Sequence, residues 1–170
     1  MRRRARGQKD GRRGGGNANR QPPKTRLSAV RTSSRVPRPS IEVAAGLIFR
    51  DGKLLIAQRP AEAHLGGLWE FPGGKREPDE TFEHCLIREL REELGVEVEV
   101  GEVLARAVHD YREKRVRLRF FACRLRRGEP RPLGCPALRW VEARELGDYD
   151  FPAADAQLLD KLRDEPGLWK

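Results

Sequence analysis

An α/β fold, an α/β/α sandwich around a mixed β-sheet, follows from three features of the chain. Strand-like segments lie both before and after one strongly helical stretch, and a second helical stretch closes the sequence. The third feature is composition: at 170 residues, 38% hydrophobic and 36% charged, the chain has enough apolar material for one domain with a real core. It contains no internal repeat. No apolar run approaches 18 residues, so no membrane span is expected.

Residues 1–40 stand apart. They carry 13 Lys/Arg against a single acid, Asp10, which leaves 22 Lys/Arg against 25 Asp/Glu in residues 41–170. The formal net charge of +9 therefore belongs to the tail and not to the folded part. With Arg2-Arg3-Arg4, Gly14-Gly15-Gly16, Pro22-Pro23 and few apolar residues to bury, the tail is expected to be disordered. Its role stays open among a weak nucleic-acid arm, an Arg-rich transit peptide and an unselected extension.

The domain expected over 41–170 opens with Ile41 to Phe49 as a mostly buried strand. Asp51-Gly52 is a hairpin turn, and Lys53 to Gln58 is the returning strand. A loop follows from Arg59 to Leu68, and Trp69-Glu70-Phe71 leads into Pro72-Gly73-Gly74-Lys75. Residues Thr81 to Leu94 are helix formers, with Thr81 as N-cap and Gly95 at the stop position. Val96 to Leu104 and Ala105 to Tyr111 read as strand. Val116 to Leu125 is a longer strand in which Leu118, Phe120 and Ala122 alternate with Arg119, Phe121 and Cys123. Gly128 to Pro136 is a proline-rich loop, Leu138 to Val141 a short strand, and helical segments are expected at Glu142–Leu146 and from Ala153 to about Arg163.

The central helix has two faces. Leu86, Ile87, Leu90 and Leu94 form a packing stripe, while Glu89, Glu92 and Glu93 fall together at spacings of three and four. Crowded carboxylates repel unless a positive charge sits among them. A divalent cation such as Mg²⁺, which takes hard oxygen ligands and is shared with substrate phosphates, would supply it. A solvated face neutralised by Arg88 and Arg91 would do so equally well.

The wider spacing separates these readings. Gly74, Glu80, Arg88-Glu89, Leu90, Glu92-Glu93, Gly95 and Val96 stand at the fixed positions of the Nudix signature, a coincidence on the order of 10⁻⁸ per start position at average residue usage. Over roughly Ile41 to Leu162 the chain resembles the MutT-type branch of the Nudix hydrolases, which removes oxidised nucleotides such as 8-oxo-dGTP from the precursor pool. Leu68 to Lys75 resembles that branch's lead-in, and Phe151-Pro152-Ala153-Ala154-Asp155 its base-reading segment.

The resemblance implies a nucleotide pyrophosphohydrolase that protects DNA replication and repair by cleaving an α,β phosphoanhydride to a monophosphate and pyrophosphate. Gly73, Glu89, Glu92 and Glu93 would hold Mg²⁺, or Mn²⁺ in its place. Lys75 and Gly74 would meet phosphate, and Arg88 would orient the glutamates. MutT-type enzymes commonly place a further acid in the loop before the last strand, where this chain has Gly134 or Cys135. That departure leaves Glu92 or Glu93 as the general base, with Glu129 and Glu142 as distant alternatives. Glu80 stands at the helix entrance, open between a capping and a metal role.

For the base, Asp155 offers a carboxyl to the N7–H that 8-oxoguanine has and guanine lacks. The alternative is an N-cap for the last helix. The branch often has Asn at this position, so Asp here opens CTP or methylated dCTP as alternative substrates. Arg59, His64, Phe71, Phe120 and Phe121 are further pocket candidates. A different class, a metal-free oxidised-base recognition module of the kind found in adenine DNA glycosylases, is opposed by the intact glutamates. Three cysteines without C-x-x-C spacing read as reduced thiols of a cytoplasmic protein, and a monomer is expected.

Overall fold

The computed structural model describes residues 38–169. The tail expected over residues 1–40 therefore lies outside the described residues up to position 37. The two residues next to the domain are ordered into it: Arg38 donates to the carbonyl of Tyr111 at 2.8 Å. The first strand already begins at Ser40.

Seven strands form one mixed sheet. They are β1 (Ser40–Arg50), β2 (Lys53–Gln58), β3 (Trp69–Glu70), β4 (Gly73–Lys75), β5 (Glu97–Asp110), β6 (Arg115–Arg127) and β7 (Leu138–Val141). The main path runs β3-β2-β1-β6-β5, with β4 paired to β1 and β7 to β2. Strands β1 and β6 run parallel, and every other pairing is antiparallel. The hairpin turn uses Asp51 (φ 52°) and Gly52 (φ 72°), the double positive φ that matches strand twist. Strand β1 is shared: its first half pairs with β4 through Val43–Lys75 and Ala45–Gly73, its last residues with β2 through Phe49–Leu54. That sharing brings the glycine turn against the sheet centre.

The two strand segments expected at 96–104 and 105–111 are one strand, β5, whose register against β6 shifts between Val100, Val103 and Ala105. Bulges of this kind break period-2 alternation, which is why the sequence reads as two pieces. Helix α1 (Phe82–Leu94) is capped by Thr81, whose Oγ1 accepts the His84 N–H at 3.1 Å, and ends at Gly95 with φ 69°.

Leu86, Leu90 and Leu94 of α1 are fully buried against Ala44, Ile48, Phe121 and Cys123. Across the sheet, Ala45, Leu47, Phe71 and Phe120 pack with Leu146, Leu158, Leu162 and Trp169. Adjacent Phe120 and Phe121 thus serve opposite cores, each 1% exposed. The segment expected as helix at 142–146 is a 3-10 helix, Ala143–Asp148, closed by a capping box between Glu142 and Glu145. The last helical segment divides into a 3-10 turn, Ala153–Asp155, and α2 (Ala156–Asp164).

Candidate active site

Gly73 and Gly74 fold as they do because nothing larger fits. A Cβ on Gly73, which has φ 149°, would stand 2.1 Å from the Ala44 carbonyl oxygen. One on Gly74 would stand 2.2 to 2.5 Å from the Glu89 carboxylate. The turn is therefore pressed between β1 and the acidic face of α1. Glu89 lies against the backbone of Gly74, and the Gly73 N–H donates to Glu93.

The three glutamates do not converge as one crowded face. Arg88 donates to Glu89 at 2.8 Å and more weakly to Glu92 at 3.4 Å, and Glu92 stays 61% exposed. Glu93 instead turns inward to line a cavity of about 290 Å³. Among the described residues no three His, Cys, Asp or Glu side chains are gathered closely enough to cage an ion unaided. Arg88 accounts for this, because its guanidinium draws Glu89 and Glu92 toward itself by charge-assisted hydrogen bonds.

The donor set nevertheless fits a hard divalent cation. Burial, followed by the charges of Glu89, Glu70 and Glu92, pushes the Glu93 carboxyl up to about 8 against the opposing pull of the Gly73 N–H. Beyond the effect of burial, Glu89, Glu70 and Glu92 add negative charge around Glu93 that a bound cation would offset. Mg²⁺ keeps several of its waters, so carboxylates from one helix and a neighbouring backbone carbonyl suffice. Gly73, Glu89, Glu92 and Glu93 are the residues that would hold it.

Glu80, left open between capping and metal binding, anchors Arg88. It accepts the Arg88 guanidinium at 2.6 and 3.2 Å and the Glu77 N–H at 2.9 Å. The Arg88 hydrogen bond, then the Glu77 N–H, hold its carboxyl down to about 2. Arg88 also donates to the Lys75 carbonyl at 3.3 Å, so one guanidinium ties the loop, the β4 strand and the acidic helix face together.

From Glu93 the cavity extends along the second face of the sheet to Asp155. Its walls include Arg59, His64, Glu70, Phe71, Gly73, Gly74, Lys75, Tyr111 and Phe120. Arg59, His64, Phe71, Gly74, Lys75 and Asp155 are thus brought to one compartment. Phe121 is not; it packs under α1, because consecutive strand residues face opposite ways. Phe71 is 3% exposed, stacked on Phe151 at 5.3 Å and edge-on to Phe120 at 5.9 Å, and so forms a wall. His64 lies edge-on to Tyr111 at 4.9 Å. His84 and Glu129 lie elsewhere, the latter in a two-hydrogen-bond ion pair with Arg50.

Asp155 stands at the N-cap position of α2 but its side chain makes no capping hydrogen bond. It is 4% exposed and lines the cavity. Burial, then the charge of Glu70, push its carboxyl up to about 7, with Arg59 pulling it down.

Glu70 escaped the sequence reading as a site residue. It lines the cavity, forms an ion pair with Arg59, and is raised by burial despite that pairing. The signal was present, since an acid between two aromatics on an otherwise buried lead-in has no solvent to face. Tyr111 was missed as well, and its position at the end of a bulged strand left no periodicity to read. Gly134 and Cys135 both reach the cavity, and the N–H groups of Leu133 and Gly134 donate to the Glu93 carbonyl at 2.9 and 3.1 Å. The loop before the last strand therefore holds the end of α1 without contributing an acid.

The chain is similar to known proteins in both sequence and fold. The NUDIX domain model matches residues 44–161. The chain is 43% identical over 120 residues to the CTP pyrophosphohydrolase of Escherichia coli, covering 71% of this chain and 89% of that one. It is 44% identical over 85 residues to the 8-oxo-dGTP diphosphatase of Proteus vulgaris, covering 49% and 76%. The solution structure of the E. coli ORF135 protein superposes with a TM-score of 0.65 at 40% identity, over 75% of this chain and 91% of that one.

Proposed function

The chain belongs to the Nudix hydrolase family, and from that premise we propose that it is a MutT-type nucleotide pyrophosphohydrolase acting on oxidised nucleoside triphosphates such as 8-oxo-dGTP, with Mg²⁺ as its cation. The observation that carries this reading is the single cavity joining Asp155 at one end to Gly73, Gly74, Lys75 and Glu93 at the other. A base-reading carboxyl and a phosphate-handling turn then serve one substrate.

A divalent cation bound by the glutamates would neutralise phosphate oxygens and lower the pKa of an attacking water. The chain's own residues prepare for that. Arg88, fixed by Glu80, holds Glu89 in place. Lys75 offers a positive charge at the cavity edge. Glu93, turned into the cavity beside Gly73, is the carboxylate placed to accept a proton from an attacking water. The products are a nucleoside monophosphate and pyrophosphate.

At the other end, an ionised Asp155 accepts from the N7–H of 8-oxoguanine, and guanine, which lacks that hydrogen, leaves the buried acceptor unpaired. A second reading, CTP or methylated dCTP, is favoured by the pair of acids Glu70 and Asp155, since carboxylates accept from the cytosine N4 amine. The deciding measurement is kcat/KM from pyrophosphate release with 8-oxo-dGTP, dGTP, CTP and 5-methyl-dCTP in Mg²⁺. Preference for 8-oxo-dGTP supports the first reading and preference for a cytosine nucleotide the second. No release from any nucleotide would overturn both in favour of a base-recognition module.

A further inference from the structure

Strand β6 carries two rows of side chains. Val116, Leu118 and Phe120 line the substrate cavity, so Arg117 and Arg119 project from the opposite face, the one that α1 covers only in part. The antiparallel register sets Arg106 of β5 directly opposite Arg119, and Val108 opposite Arg117. The parallel register on the other side sets Glu42 beside Arg117 and Ala44 beside Arg119. Glu42 is already engaged by Arg76, through hydrogen bonds of 2.8 and 2.5 Å. The Arg119 guanidinium lies 3.9 Å from the Phe82 ring centroid and that of Arg76 5.3 Å from it. This leaves Arg106 and Arg117 exposed and Arg119 half-buried, and among the described residues none of the three forms an ion pair.

Two features make this more than a solvated charge run. Like charges placed directly across a strand pair destabilise the sheet, and Arg106 and Arg119 are so placed. Moreover, residues 41–170 hold more acids than bases, 25 against 22, so a face with three unmatched arginines is a segregation of charge and not an average of the domain. The guanidinium groups do not converge on one point. Arg117 and Arg119 are two residues apart on an extended strand, roughly 6.6 Å along it, and Arg106 widens the row onto β5. An open row of this kind meets successive charges of an extended polyanion, with Phe82 holding one guanidinium in a fixed plane.

We propose that the β5–β6 face carrying Arg106, Arg117 and Arg119 binds the phosphodiester backbone of nucleic acid, separately from the nucleotide cavity on the other side of the sheet. Contacts to phosphates carry no base preference, so binding is sequence-independent and salt-sensitive. It brings a nucleotide-cleaving domain to a polymer without occupying its cavity.

Fluorescence anisotropy of a labelled oligothymidylate across a salt series, with the full chain, tests this. Arg106→Gln/Arg117→Gln/Arg119→Gln is expected to reduce the slope of log affinity against log salt by about 2, from three phosphate contacts at about 0.7 each. Nucleotide hydrolysis should stay unchanged in that variant. The corresponding triple Lys variant should retain the wild-type slope, because point charges suffice for phosphate. A Gln variant with wild-type affinity and slope would overturn the proposal, as would equal loss in the Lys variant, which would indicate a structural effect. Binding of tripolyphosphate without binding of the oligonucleotide, or displacement of the oligonucleotide by substrate nucleotide at its KM, would overturn it too.

Discussion

Asp155 and Glu93 show how burial changes the proton affinity of two carboxyl side chains in one cavity. Both carboxyls are pushed up, to about 7 and about 8, with burial as the largest cause in each. The sign for stability follows directly. The folded-state values lie above the unfolded ones, so the contribution of each group is fully present below about pH 4 and is lost as pH rises through 7 to 8. Asp155→Asn should therefore stabilise the protein at pH 8, on the order of 2 kcal/mol after allowance for relaxation, and give no gain at pH 4; thermal melts at the two pH values check this. With ionised Asp155 as the proposed acceptor for N7–H, the kcat/KM ratio of 8-oxo-dGTP to dGTP should climb through about pH 7 and become flat in Asp155→Asn. Glu93→Gln should keep the fold and lower kcat by about 10²- to 10⁴-fold. An unchanged rate in that variant would move the general base elsewhere.

On the scale of elements, the glycine turn and α1 are one device. The two glycines look equivalent in sequence but meet different neighbours. Gly73→Ala forces a Cβ into the backbone of β1 at a positive φ, and a loss of roughly 3 kcal/mol or more is expected in urea unfolding. Gly74→Ala meets the tip of the Glu89 side chain, which can move aside only by loosening its hydrogen bond to Arg88. Stability should change by no more than about 1 kcal/mol while the concentration of Mg²⁺ needed for half-maximal rate rises several-fold. Titrating Mg²⁺ in rate assays alongside the unfolding curves separates the two effects. The helix itself was legible because Thr81, the Leu86–Leu90–Leu94 stripe and Gly95 are local signals. Its glutamates were legible as a set but not in their separate orientations, since spacing takes no account of Arg88 and Glu80, which are brought together across a loop.

At the scale of the described domain, the proposed cation, held by glutamates that only the folded chain brings together, would couple binding to folding. Mg²⁺ at ten times its Kd should add about 1.4 kcal/mol of stability through binding to the folded state alone. The gain, read as a shift in Tm by calorimetry, should vanish in Glu93→Gln. Among the described residues no helix is long and apolar enough to cross a membrane. Cys85 and Cys123 are free thiols pushed up to about 12, chiefly by burial, and they behave as core side chains.

Local signals by themselves determined the order of strands and helices, the β1–β2 hairpin and the capped helix, and the signature's spacing carried the family resemblance that implies the reaction class, because turns, caps and the signature's glutamates and glycines depend on residues close together in the chain. Only the tertiary structure decided what depends on distant residues. It turned Asp155 away from capping and into the cavity, joined Glu70 to Arg59, split Phe120 from Phe121, and set Arg106 against Arg119. Each of these follows from strand register and burial, which are fixed by packing across the whole sheet and leave no periodic trace in the sequence.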